Sequence, residues 1–346
     1  MTSATYQHCV IFGGKGYIGS FFAAHLLDSR LADKVYLADI SESKRSTWPV
    51  SLEQALKDGR LVLVNADVRN EINAEDLPEH CDLICNFAAI HREPGHEDIE
   101  YFETNLKGAE NVCGWAEKVR CQSIIFTSSI APYGIQEGEK DESTLPVPVT
   151  AYGSSKLAAE KIHIAWQNRD KSNRYLSIAR PGVIYGPGED GNVPRMIRAV
   201  IQRYFMFMGN RETRKAGGYI KELVLAMAWV VAHQKEQGQN IVLYNFSSAV
   251  APSIAEYVSA ICNVANIKRT ILNVPFIVVL AASYVISILA RPFGIKHPFS
   301  PVRIKKLIHS NDIIPKYLID EEYPYTYDLD SSFRDWIQDR PEDWLR

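Results

Sequence analysis

Tyr152 and Lys156 stand four residues apart in the stretch Tyr152-Gly153-Ser154-Ser155-Lys156. On a helix, that spacing puts a phenol and an ammonium on one face. A free tyrosine ionises at about pH 10, and a fixed cation nearby stabilises the phenolate, which makes the pair a usable acid/base near neutrality. Upstream, Thr127-Ser128-Ser129 closes an apolar run, and a serine hydroxyl there can hold a substrate alcohol or carbonyl oxygen together with Tyr152. A Y-x-x-x-K pattern alone also describes an ordinary surface pair. Position separates the two readings, because this one falls between the fifth and sixth apolar runs, beside the strand ends where ligands of open α/β sheets gather.

A second constellation lies near the N-terminus. Gly13-Gly14-Lys15-Gly16-Tyr17-Ile18-Gly19 follows the first apolar run directly. Glycines at 13, 16 and 19 permit a tight turn, a close approach of backbone to pyrophosphate, and close packing of the next helix on its strand. The free N–H groups opening that helix, at Tyr17 and Ile18, attract phosphate. Asp39 ends the second run, twenty residues past Gly19, where a carboxylate accepts hydrogen bonds from both adenosine ribose hydroxyls and repels a 2′-phosphate. NAD is therefore expected over NADP, with Lys44 and Arg45 as the counter-argument. The third run ends in Asn65-Ala66-Asp67-Val68, which places Asp67 to reach the adenine amino group; a plain turn residue is the alternative.

These residues need a scaffold, and the hydrophobic pattern supplies one. His8–Gly13, Val35–Asp39, Leu61–Asn65, Asp82–Phe87, Ser123–Ser128 and Tyr175–Ala179 read as short buried strands. Helix-length segments such as Tyr17–Ser29, Ile99–Val119 and Val149–Asn168 lie between them. This alternation predicts an α/β fold, a Rossmann-type doubly wound parallel sheet with right-handed crossovers. After Pro181 the rhythm loosens, with helix-like stretches at Ile220–Gln234 and Pro252–Asn266 and a strand-like run at Ile241–Phe246. Residues 1–181 are expected to form the cofactor domain. Residues 182–346 are expected to form a smaller substrate-binding region, with some elements returning to the first domain.

Composition agrees with a soluble enzyme. The chain has 346 residues, 46% hydrophobic and 23% charged, with a formal net charge of −3, which excludes nucleic-acid binding by bulk electrostatics. Six cysteines without a C-x-x-C pair read as core thiols in a reducing cytoplasm, and no secretory signal opens the sequence. His91 and His96 share a polar loop with Glu93, Glu97 and Asp98, where metal binding is only a weak reading. Residues 271–290 run twenty positions without a charge, followed by Arg291, Lys296, Arg303, Lys305 and Lys306. Pro275 shortens the helical part below a bilayer span, leaving a packed helix or peripheral membrane contact.

The chain resembles the extended short-chain dehydrogenase/reductases, the branch of nucleotide-sugar epimerases, dehydratases and reductases, over nearly its whole length. Gly13, Gly16 and Gly19 match that family's glycine loop. Asn86-Phe87-Ala88-Ala89 matches its fourth-strand motif, Asn105 its N-x-x-G asparagine, and Ser128–Gly134 its S-S-x-x-x-Y-G signature. Tyr152, Lys156 and Glu160 fit Y-G-x-S-K-x-x-x-E, and Arg180–Pro187 fits R-x-x-x-x-Y-G-P. The resemblance implies Ser129, Tyr152 and Lys156 as catalytic residues. It implies cofactor contacts from Gly13, Gly16, Tyr17, Ile18, Gly19, Asp39, Asp67, Val68, Phe87, Ala88, Ala89, Asn105, Tyr152, Lys156 and Pro181. Substrate contacts are expected at Ser129, His91, Val183, Arg195 and Arg211, Val183 standing where many sugar-nucleotide members carry asparagine. A homodimer is expected from relatives that pair the 99–119 and 149–168 helices. Leu307–Asp312, Lys316–Leu318 and Tyr323–Trp336 resemble closing elements that return over the substrate region.

Dehydratases and decarboxylases of the family carry an acid just after the fifth-strand serine or threonine. Ile130 and Ala131 stand there in this chain. What remains is oxidation or reduction at one carbinol, and a UDP-hexose 4-epimerase working through a transient 4-keto sugar is the leading expectation. A 4-keto nucleotide-sugar reductase and a hydroxysteroid or lipid-linked alcohol dehydrogenase are the alternatives. A non-catalytic NAD-binding protein ranks last, since Ser129, Tyr152 and Lys156 are all present.

Overall fold

The computed structural model describes residues 5–41, 45–91, 95–135, 138–290 and 312–345. Lys44, Glu93, Arg291, Lys296, Arg303, Lys305, Lys306 and residues 307–311 lie outside the described residues.

Seven short runs, each too apolar to face water, become one parallel sheet. In chain order its strands are β1 (Tyr6–Phe12), β2 (Ala32–Asp39), β3 (Leu61–Asn65), β4 (Leu83–Asn86), β5 (Ser123–Thr127), β6 (Tyr175–Pro181) and β10 (Ile241–Phe246). Their spatial order is β10-β6-β5-β4-β1-β2-β3. Burial on both faces explains the unbroken hydrophobicity: Cys9 and Ile11 point into one core layer, Val10 and Phe12 into the other, all at 0% exposure. Helices α1 (Tyr17–Asp28), α2 (Ser51–Lys57) and α6 (Ile220–Glu236) cover the first face. Helices α3 (Asp98–Lys118) and α4 (Ala151–Asn168) lie side by side on the second.

Register lines up the strand ends that matter. Phe12 pairs with Ala38 on one side and Asn86 on the other, Thr127 with Ala179, and Phe246 with Pro181. The order of strands reverses between β1 and β4, so a crevice opens where both of those strands end. Both partner loops of the sequence motifs, after Phe12 and after Asn86, meet at that switch point.

The strand Ile241–Phe246 belongs to this sheet, so residue 181 does not complete it. Past Pro181 the chain builds small pairs: β7 (Val183–Tyr185) with β9 (Gly217–Tyr219), and β8 (Phe207–Met208) with β11 (Asn273–Val274). Helices α5 (Asn192–Ile201) and α7 (Ile254–Val264) pack on them, and α8 (Phe276–Ala290) follows β11. The tail returns as helices Lys316–Asp320, Leu329–Asp339 and Glu342–Leu345. Phe333 and Trp336 are fully buried, their rings 5.6 and 6.3 Å from that of Tyr185. Among the described residues no helix is long and apolar enough to cross a membrane.

Candidate active site

Gly13 sits at the switch point with φ of +74°, a conformation that favours glycine. A Cβ there would meet the backbone N of Ala88 at 2.5 Å, so the loop after β1 and the Phe87–Ala88 backbone after β4 touch directly. Gly19 packs as closely, since its Cβ would fall 2.6 Å from the Gly14 Cα. Helix α1 opens at Gly16 without a side-chain cap, which leaves the first-turn N–H groups of Tyr17, Ile18 and Gly19 without helical acceptors. The Tyr17 ring does not line this cradle. It packs on Phe21 and reaches Gly186, whose Cβ would meet the Tyr17 hydroxyl at 2.9 Å.

Asp39 ends β2 beside the same loop. Its carboxylate accepts from the backbone N–H of Lys15 at 3.2 Å and of Ser41 at 2.9 Å. Asp67 is gripped by Arg69, with Nε at 2.9 Å and Nη2 at 2.7 Å, and these hydrogen bonds hold its carboxyl below the usual carboxylate range. Val68 is buried under α3, where Gly108 makes room for it. Asn105, buried on α3, ties three segments together: its Oδ1 accepts from Ile90 N at 3.1 Å, and its Nδ2 donates to Ser155 Oγ at 2.9 Å. The Ser155 hydroxyl in turn donates to the Tyr152 carbonyl at 2.9 Å. Ala89 thus precedes a loop pinned to the helix that carries Tyr152.

Tyr152 and Lys156 lie in the first turns of α4, capped by Thr150 accepting from Gly153 N at 3.1 Å. Gly153 lets α4 settle on the turn after β5, for a Cβ there would meet Ala131 O at 2.7 Å. That turn carries Ser129, whose hydroxyl accepts from Ala131 N at 3.1 Å. Tyr152 is half-buried beside Tyr101, ring centroids 6.0 Å apart. Lys156 is buried with its Nζ 4.7 Å from the Phe126 ring centre. Burial lowers its pKa to about 7, against an opposing pull from the Glu160 carboxylate.

Further along the same face of α4 stand Glu160 and His163. Glu160 accepts from Arg180 Nε at 2.8 Å and Nη2 at 2.7 Å, and from Ser128 Oγ at 2.5 Å. Both its oxygens are engaged, and Arg180 also lies over the Tyr133 ring at 4.8 Å. His163 Nδ1 bonds the Ala159 carbonyl at 2.8 Å, so that nitrogen carries the proton and Nε2 accepts from Asn86 Nδ2 at 3.2 Å. Burial drives its pKa down to about 4. His163 lies outside the sequence motifs. The interval from Lys156 through Glu160 to His163, at i, i+4 and i+7, was the available signal.

The expected substrate residues are less gathered. His91 is exposed at the end of the loop that Asn105 holds, and Val183 on β7 is 42% exposed. Arg195 is exposed and donates to the Asp190 carbonyl at 3.2 Å, while Arg211 donates to Glu212 at 3.1 Å. Arg214 reaches inward to Ala251 O at 2.6 Å. His96 pairs with Glu100, and among the described residues no cluster of three or more metal-ligating side chains occurs. Five cysteines are buried and Cys262 is half-buried; burial pushes the Cys9, Cys81 and Cys85 thiols well up.

The sequence pattern of the NAD dependent epimerase/dehydratase family matches residues 9–245. The chain belongs to that family. NAD is accordingly its cofactor, and the cradle fits: a pyrophosphate needs the bare backbone of Gly13 and Gly16, the uncapped start of α1, and a crevice at the switch point, all present here. Among relatives, the N-acetyl-alpha-D-glucosaminyl-diphospho-ditrans,octacis-undecaprenol 4-epimerase of Escherichia coli O157:H7 is 25% identical over 325 residues, covering 91% of this chain and 92% of its own. The 3beta-hydroxysteroid-dehydrogenase/decarboxylase isoform 1 of Arabidopsis thaliana is 23% identical over 88% of this chain and 72% of its own. The structure of a UDP-glucuronic acid 4-epimerase from Bacillus cereus in complex with NAD shares the fold, with a TM-score of 0.70 at 17% identity over 98% of this chain and all of that one. As an epimerase/dehydratase family member, the chain is an enzyme of the extended short-chain dehydrogenase/reductase type.

Proposed function

We propose that this enzyme is a 4-epimerase of a hexose carried on a diphosphate, acting through a transient 4-keto sugar. One observation carries the reading. The turn that carries Ser129 packs on the first turns of α4, which carry Tyr152 and Lys156, and the residues after Ser129 are Ile130 and Ala131, while Glu160, the acid further along α4, is consumed by Arg180 and Ser128. Elimination of water from the ring needs such an acid, whereas inversion at one carbinol does not. Bound NAD supplies a hydride acceptor and, once reduced, the donor that returns the hydride to the opposite face.

In this reading Tyr152, as phenolate, removes the hydroxyl proton while Ser129 holds the same oxygen, and Tyr152 gives the proton back when the keto sugar is reduced. Lys156 stabilises the phenolate and holds the nicotinamide ribose. Arg195, Arg211 and the open face at Val183 are the sugar-diphosphate side of the cleft. The carrier is a nucleoside diphosphate, UDP first, and the E. coli relative extends the same chemistry to a lipid diphosphate.

The test is incubation of NAD-loaded enzyme with UDP-, dTDP- and GDP-hexoses and with an undecaprenyl-diphosphate hexosamine, without added oxidant or reductant. The expected result is a sugar epimer with no net change in nicotinamide absorbance. Net reduction of NAD with an oxidised product would replace the epimerase by a dehydrogenase. The Arabidopsis relative and the exposed Val183 favour that second reading. Consumption of added NADH with a 4-keto sugar would indicate a reductase instead.

A further inference from the structure

Helix α8 covers fifteen residues, FIVVLAASYVISILA, without one charged side chain. Ile277 is 75% exposed, Val278 53%, Tyr284 48% and Ile286 40%, and Leu272 just ahead is 71% exposed. At about 100° per residue these positions point in several directions around the helix. A helix lying on a protein surface has a polar outer side. Here Phe276, Val279, Leu280 and the buried Ser283 share one side, and the side turned outward, at Ile277, Val278, Ala281, Ala282, Tyr284 and Ile286, carries no charge, a pattern that suits immersion rather than a water-washed surface.

Charge identifies the surroundings. Between Glu256 and Asp312 the sequence contains no acidic residue, yet it carries Lys268, Arg269, Arg291, Lys296, Arg303, Lys305 and Lys306, in a chain whose net charge is −3. Arg269 donates to the Val200 and Phe205 carbonyls at 3.0 and 2.9 Å, but Lys268 is exposed, and a basic sequence on both flanks of an apolar helix matches an anionic lipid headgroup layer. Length and connectivity then fix the depth. Fifteen residues rise about 22 Å, short of the roughly 30 Å hydrocarbon core. The chain on either side is tied into one body: Gly209 N bonds Val274 O at 3.0 Å before the helix, and Lys140 N bonds Asp312 O at 2.9 Å after it. The chain therefore enters this segment at Val274 and leaves it at Asp312 on one side, as a helix lying in a single leaflet requires.

We infer that α8 is a monotopic membrane anchor, sunk into one leaflet of an anionic bilayer and holding the enzyme against its surface. The helix leaves the β8–β11 pair next to the Asn210–Arg214 loop, which carries Arg211 and Arg214. If the proposed epimerase reading holds, the substrate diphosphate is then bound close to the depth of lipid phosphates, and a lipid-linked sugar is presented without leaving its membrane.

The test is flotation of the full-length, NAD-loaded protein with vesicles of phosphatidylethanolamine and phosphatidylglycerol, compared with phosphatidylcholine alone. The expected result is flotation with the anionic vesicles, weaker with phosphatidylcholine and weakened by salt. The double variant Ile277→Asp/Ile286→Asp should lose about tenfold or more of the bound fraction, with NAD content and Tm as controls for folding. Wild-type protein that stays unbound with both vesicle types overturns the inference, as does a double variant that floats like wild type. Light scattering without lipid is the third arm: a dimer that the double substitution splits, with no flotation, would assign the face to a second copy. Turnover of UDP-hexose and of detergent-dispersed lipid-linked sugar is read on the same samples. Wild-type protein that isomerises its substrate yet never floats sinks the anchor alone, whereas wild-type protein that floats without any isomerisation sinks the epimerase alone.

Discussion

Lys156 is buried against Phe126 with a pKa brought down to about 7, so its charge responds to whatever fills the cleft near neutrality. Ribose hydroxyls accept hydrogen bonds from an ammonium, so on the proposed assignment NAD binding favours the protonated lysine. Affinity is then flat below about pH 7 and falls above it, by up to about tenfold per pH unit. Calorimetric titration across pH should show this slope with proton uptake, and Lys156→Met should abolish it. Tyr152→Phe should keep NAD but lower turnover by about 10²–10⁴-fold, measured by epimer formation. Glu160→Gln tests a different matter. It leaves the buried Arg180 guanidinium without its counter-charge, a cost of about 3–5 kcal/mol, to be read as a lower urea midpoint.

Helix α4 is where single residues become a rigid element. Asn105, Phe126, Arg180 and Asn86 meet it at successive points along its length, at Ser155, Lys156, Glu160 and His163. His163 is neutral in the fold and, with its pKa held at about 4, takes up a proton far later than an unfolded histidine at about 6.5. Between those values the unfolded chain binds more protons, so stability is lost as pH falls from about 6.5 to about 4, by about 3 kcal/mol for this group. Urea unfolding of His163→Gln across that window should show a shallower acid slope than wild type. The six strands before residue 182 were legible because parallel strands buried on both faces are written as continuous apolar runs. The glycine loop and the Tyr152–Lys156 pair were legible because local spacing defines them. The pairing of Asn86 with His163 was not, since seventy-seven residues separate them and only the folded sheet brings them together. Pairs as short as β7–β9 and β8–β11 have too few residues to show a period.

Across the whole molecule, the two regions are bound by specific contacts rather than by a linker. Tyr133 OH donates to Asn245 Oδ1 at 2.8 Å, and Glu142 accepts from the backbone of Asn245 and Lys316 at 2.8 and 3.1 Å. Arg340 bonds the Ser46 carbonyl, and Asp343 accepts from Gly188 N and from Trp336 Nε1. Trp336 is the tail's anchor, fully buried against Tyr185 and Phe333. Trp336→Ala should cost about 3–5 kcal/mol, measured by thermal or urea unfolding, and should raise KM for the sugar more than it weakens NAD binding. The strand β10, which the aliphatic run at Ile241–Phe246 announced, takes its seat beside β6 from the far side of the second region. That seat has a consequence for biosynthesis. As the polypeptide emerges from the ribosome, β6 waits as a bare edge, with Ser177 and Ala179 facing a layer that α6 has yet to cover, until Phe246 has been made. A nascent chain arrested after Pro181 should therefore be held by chaperones or cleaved, and one released past Phe246 should resist protease.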